Sequence, residues 1–163
     1  MPTARTAVLL AAAVLATGAA GCGGSGGDPE QYASTWNGVC RDITSAQETL
    51  QNDLVALQGR VSTTDVTALT KAAAAPIGKL SDAVSTALER VRGLDAPDEY
   101  ADFQKRVDGS VDATIRVFRE LKDATQRGDT RALQEMGRTT RPTDVVPSLP
   151  AGLKTRAKDC SSF

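Results

Sequence analysis

Beyond residue 28, apolar residues recur along the chain at steps of three and four. The first stripe is Tyr32, Trp36, Val39, Ile43, Ala46, Leu50, Leu54, Leu57 and Val61, with polar residues between. That spacing puts the apolar set on one face of a helix, so a long amphipathic helix is predicted. Asp28, Pro29 and Gln31 mark its start as N-cap, first helical residue and capping-box partner. Gly38 is a local weakness inside it.

The second stripe is Val66, Leu69, Ala73, Ile77, Leu80, Val84, Leu88 and Val91. Gly59 and the run Ser62, Thr63, Thr64, Asp65 mark its entry, and Gly93 marks its end. Pro76 lies inside this stripe. Its ring clashes with the carbonyl four residues back and it donates no backbone hydrogen bond, so a kink or break is expected there. The third stripe is Tyr100, Phe103, Val107, Val111, Thr114, Phe118 and Leu121. It follows a turn at 94–97, and Asp98 and Glu99 sit at the positive end of its dipole. Gly128 stops it and Asp129 caps a fourth helix. That fourth helix is the least regular: Ala132, Leu133 and Met136 begin a stripe, and Pro142, Pro147 and Pro150 interrupt it. A helix to about Arg141 is expected, then an irregular connection, then a short helix over about 151–158. Short connections make neighbouring helices antiparallel. The pattern predicts an all-α fold, an antiparallel up-down four-helix bundle with a kinked helix 2 and a broken helix 4.

The pattern before residue 28 is different. Arg5 precedes an uncharged run over 7–20, which is too short to span a bilayer comfortably and matches the apolar region of an export signal. The run ends in small residues. Gly18-Ala19-Ala20 suits an ordinary secretory peptidase, whereas Ala19-Ala20-Gly21-Cys22 resembles a bacterial lipobox with Ala19 where Leu is usual. Cysteine count separates the two. Cys22, Cys40 and Cys160 make an odd number for an exported chain. If Cys22 carries acyl (palmitate-type) chains, Cys40 and Cys160 remain to form one disulfide in an oxidising compartment. The expected organisation is a signal peptide over 1–21, a lipid anchor and Gly/Ser tether over 22–27, and a helical domain over 28–163. In a bundle of this order the end of helix 4 returns to the start of helix 1, which independently brings Cys160 toward Cys40.

The Gly21-Cys22 junction, the Gly/Ser tether, Trp36 and Cys40 in the first helix, and Cys160 near the C-terminus together resemble small exported lipoproteins of actinobacteria. The resemblance implies an envelope location and an all-helical domain. It transfers no catalytic residue.

Composition narrows the chemistry. Aromatic residues are only 4% of the chain, so the core must be aliphatic. Net charge is -1, which gives no reason to expect a nucleic-acid partner. There is no histidine, which rules out Ser-His-Asp and Cys-His catalysis and two-His zinc motifs. Gly78-Lys79-Leu80-Ser81 and Gly152-Leu153-Lys154-Thr155 both lack the phosphate-loop pattern.

Four features remain to be weighed. Asp98 and Asp102, and Asp108 and Asp112, are acid pairs at helical spacing, readable as a cation or acid–base site or as a solvated face. Residues 28–115 hold 8 basic and 14 acidic side chains (-6), and residues 116–163 hold 10 and 6 (+4). The basic cluster Lys154, Arg156 and Lys158 faces either an anionic surface or acidic neighbours in the bundle. Tyr32, Trp36, Tyr100 and Phe103 fall at one end of the bundle as an aromatic layer, either core or pocket.

No catalytic, metal or cofactor site is expected. The functional expectation is a non-catalytic lipoprotein, held on the extracytoplasmic face of the cell membrane by Cys22, that binds a protein or envelope component. The alternative is a carrier of an apolar small molecule in a cavity lined by Ala72, Ala73 and Leu133. A hydrolase working through carboxylates alone is the third reading.

Overall fold

A computed structural model describes residues 26–57, 60–61, 64–139 and 147–163. The expected signal peptide, Cys22, the tether before Gly26 and the connection over 140–146 lie outside the described residues. The described residues are helical, with no strand among them. Three long helices carry the fold: α1 (Pro29–Leu57), α3 (Ala74–Val91) and α4 (Ala101–Arg127). Five shorter pieces complete it: α2 (Val66–Ala72), α5 (Thr130–Thr139), α6 (Ala151–Arg156), and the 3-10 turns η1 (Asp98–Tyr100) and η2 (Lys158–Cys160).

The helix starts are those written in the sequence. Asp28 accepts from the Gln31 N–H at 2.7 Å, Asp65 from Ala68 at 2.9 Å and Asp129 from Ala132 at 3.0 Å. Each is an N-cap side chain satisfying a donor that has no partner within the helix. Gly128 ends α4 with φ 69°, and the amides of Gly128 and Asp129 return to the carbonyls of Thr125 and Ala124. This Schellman cap needs the left-handed conformation that glycine adopts without strain. The expected break at Pro76 falls three residues earlier in the chain, at Ala73, where α2 meets α3. Pro76 lacks the N–H that would bond the Ala72 carbonyl, and it sits in the first turn of α3, where the missing donor costs least. One boundary differs: α1 ends at Leu57, so Val61 is not part of it.

Ion pairs fix the sense of packing. Asp42 meets Arg90 and Asp53 meets Lys79, so α1 and α3 run antiparallel. Asp82 meets Lys122 and Arg92 meets Asp112, so α3 and α4 do too. These exposed pairs contribute little energy individually. Stability comes from the buried stripe, centred on Trp36, Phe103, Leu88, Val39, Val84, Val91, Val107 and Val111.

The C-terminal segment closes one end. Leu149, Leu153, Ala157 and Cys160 are buried against the starts of α1 and α4. The Cys40–Cys160 disulfide, with its Cα atoms 5.1 Å apart, ties η2 to α1 across 120 residues of sequence.

The other end is built differently. Every buried residue of α1 lies between Tyr32 and Ile43, and none lies in its last fourteen residues. Ala73 and Ala124 are buried there but stand outside the main core cluster. The molecule therefore has a tight end and a loose end.

Candidate functional site

At the loose end, five helices meet without filling the space between them. Leu54 and Leu57 come from the last turns of α1, and Leu69 and Thr70 from α2. Ala73 at the α2–α3 junction, Ile77 of α3, Thr125 of α4 and Leu133 of α5 complete the wall. They enclose an open cleft of about 330 Å³. The cleft follows from local sequence. Pro76 interrupts the second stripe just where it would have continued along α1, and α5 is only ten residues long.

The wall is aliphatic and carries no titratable group. The Thr125 hydroxyl donates to the Leu121 carbonyl within its own helix. Among the described residues the Thr70 hydroxyl makes no hydrogen bond, so it is the one polar group the wall has to offer. The large apolar residues exposed on the described surface are at this same end: Leu54 at 36%, Val55 at 64% and Val66 at 57%. Scattered exposed aliphatics need no explanation, but here Leu54 lines a concave apolar surface, and Val55 and Val66 lie on two of the helices that wall it. An arrangement of this kind can desolvate an apolar group and can offer it a single hydrogen bond. Among the described residues its wall holds no titratable side chain.

The sequence-predicted candidates fall as follows. Ala73 and Leu133 line the cleft; Ala72 does not. Asp108 accepts from the Gly93 N–H at 2.9 Å and from the Gln104 amide at 2.8 Å, and Asp112 pairs with Arg92. That acid pair thus holds the α3–α4 corner. Asp98 and Asp102 are exposed in the first turns before and within α4. Among the described residues no group of three or more Cys, Asp or Glu side chains is placed to hold a metal ion. Arg156, the middle of the basic cluster, lies 3.7 Å from Glu30 and 3.6 Å from Glu99.

The aromatic layer forms as expected and is packed solid. Tyr32 stacks on Tyr100 with centroids 5.6 Å apart, and Trp36 packs on Phe103 at 5.2 Å. The Tyr32 hydroxyl donates to Gln104 Oε1 at 2.9 Å, and Gln104 Nε2 donates to the Val91 carbonyl at 2.8 Å. Burial pushes the Tyr32 phenol up to about 12, offset in part by the neighbouring Trp36 indole and reinforced by Asp108 and Tyr100. Burial also raises Tyr100, and Glu99 adds to it. The Trp36 N–H, though near that phenol, is outside hydrogen-bond geometry with it and, among the described residues, is the buried polar side-chain atom left without a partner.

Reading stripes alone missed Leu54, Leu57 and Ile77 as site residues, since each continues a core pattern. The available signal was Val55 beside Leu54, an apolar residue off the face that the first stripe defines.

Comparison with protein-family models, with curated proteins and with solved structures returned no match. The fold and the cleft define the class reached here: an all-helical, disulfide-closed domain with one loosely packed apolar end.

Proposed function

We propose that this chain is a lipoprotein anchored through acylated Cys22 on the extracytoplasmic face of a cell membrane, where it binds without catalysis. Its domain is read as an up-down four-helix bundle. In it α2 and α3 form the kinked second member, and α5 and α6 share the broken fourth place. The observation that carries the binding reading is the open apolar cleft, with Leu54 in its wall and the exposed Val55 and Val66 on two of the helices that form it. Exposing such a surface costs solubility, and burying it against an apolar group recovers roughly 25 cal/mol per Å². The lipobox-like Ala19-Ala20-Gly21-Cys22 and the pairing of the other two cysteines support the anchor.

The anchor is tested by mass spectrometry of the mature N-terminus, which is expected to show acylated Cys22; a start at another residue refutes it. Binding is tested with Ala73→Trp, which fills the cleft. The expected result is loss of the bound component with the far-ultraviolet circular dichroism unchanged; retention of that component refutes the site.

A second reading, a carrier of an apolar small molecule, is favoured by one observation: Ala73 and Leu133 line a cleft whose volume is at the lower end of small-ligand sites. Native mass spectrometry of protein taken from its own membranes distinguishes the two, since a carrier brings a stoichiometric small molecule with it.

A further inference from the structure

The first described residues lie at the end opposite the cleft, and backbone contacts fix their place. Gly26 and Gly27 lie against the backbone of the α3–α4 corner, and the Gly27 N–H makes a long hydrogen bond of 3.4 Å to the Ala96 carbonyl. A Cβ on Gly26 would stand 2.7 Å from the Ala96 oxygen, and one on Gly27 would stand 2.0 Å from the Asp95 oxygen. These two glycines are there for close approach to backbone, a use of glycine distinct from chain flexibility. Between Cys22 and Gly26 the chain reaches at most about 14 Å. From Pro29, α1 then runs 29 residues toward the cleft, roughly 43 Å at 1.5 Å per residue.

We propose that the docked glycines keep the tight end of the domain against the membrane and present the cleft away from it, to a protein partner that inserts protruding apolar side chains. This rests on the anchored reading above. Two observations favour a protein over bilayer lipid as the occupant. The surface is concave, so it receives a protruding side chain, whereas a segment that enters a bilayer must itself protrude. The helices that wall it also carry full charges, with the Asp53–Lys79 and Asp82–Lys122 pairs close in sequence to the lining residues Leu54, Ile77 and Thr125, and those charges resist entry into hydrocarbon. A volume of about 330 Å³ suits an anchor of a few aliphatic side chains at the centre of an interface.

The test uses the full acylated chain in phosphatidylglycerol–phosphatidylethanolamine vesicles carrying a headgroup energy acceptor. A donor dye is placed at the tight end by Asp102→Cys and, in a second protein, at the cleft end by Gln51→Cys. Energy transfer is expected to be several-fold stronger from position 102 than from position 51. Equal transfer from both positions means that the domain lies flat, and overturns the inference while leaving the anchor intact. Protein that stays in solution, with no transfer from either position, overturns the anchored reading and the inference with it. For the occupant, a photo-crosslinker at Val55 in living cells is expected to give protein adducts that Ala73→Trp abolishes. Phospholipid adducts, or protein adducts indifferent to Ala73→Trp, overturn the choice of partner.

Discussion

Two glycines of this chain differ in what their missing side chains do. Gly27 has its place because a Cβ would overlap the Asp95 carbonyl oxygen. Gly38 sits in the middle of α1 with nothing within 4 Å of where its Cβ would be. Gly27→Ala should therefore cost about 1–3 kcal/mol, because backbone has to move. Gly38→Ala should stabilise by up to about 1 kcal/mol, because alanine loses less backbone freedom on entering a helix. Denaturant midpoints of the two variants should move in opposite directions. Sequence alone placed Gly38 inside the first helix, where the structure has it. It read Gly27 as part of a flexible tether, because the carbonyl it avoids lies 68 residues further along the chain. Tyr32 gives a second test at this scale. Its phenol is held neutral by burial, with a folded value of about 12 against an ordinary value of 10.0. The unfolded chain then loses this proton first as pH rises. Its contribution is fully present below pH 10 and is lost between about pH 10 and 12, amounting to roughly 2–3 kcal/mol. Stability against pH should show this fall in the parent. Tyr32→Phe should be less stable at neutral pH, because Gln104 Oε1 loses its donor, but its curve should be flatter over the same range.

At the scale of elements, the stripes made the helices legible because one buried face per helix leaves a period that survives in the sequence. Asp28, Asp65 and Asp129 made three starts legible, since capping is a contact over three residues. What a stripe cannot report is whether its far end has a neighbour. Leu50, Leu54 and Leu57 continue the α1 pattern faultlessly, yet none of them is buried, because α3 begins only at Ala74 and α5 is short. The cleft is thus an absence of partners among the described residues, which only the assembled fold displays. The C-terminal elements make the opposite case. α6 and η2 are six and three residues long, too short to persist alone, and they are held by Leu153, Ala157 and the disulfide. The chain-entropy estimate for a loop of this length is about 5 kcal/mol, with measured values often smaller. Replacing Cys40 and Cys160 together by Ala should lower the unfolding midpoint in denaturant. It should also release 147–163 to limited proteolysis before α1, α3 and α4 are cut. Simultaneous cleavage of all four would show that the segment belongs to the same cooperative unit.

Across the whole molecule, these differences add up to a gradient along one axis. At one end lie the disulfide, the stacked Tyr32 and Tyr100, the Trp36–Phe103 contact and the Gln104 network. At the other lie the cleft and the exposed Leu54, Val55 and Val66. Local opening is cheap where few apolar contacts must be broken, so stability should fall along α1 within a single helix. Amide hydrogen exchange should be slowest around Trp36 to Ile43 and faster by orders of magnitude around Leu54 to Leu57, with α2 as fast as the latter. Uniform protection along α1 would mean that the cleft end is as well held as the disulfide end, and that its open geometry is not matched by lower stability. The same measurement bears on function. A partner that fills the cleft supplies the contacts that α1 and α2 lack, so binding should slow exchange at Leu54 to Leu57 and through α2 while leaving Trp36 unchanged. A ligand bound elsewhere would leave that end fast. The gradient therefore turns loose packing from a defect into a place where binding energy has something to order, and the exchange pattern locates it to within a helical turn or two.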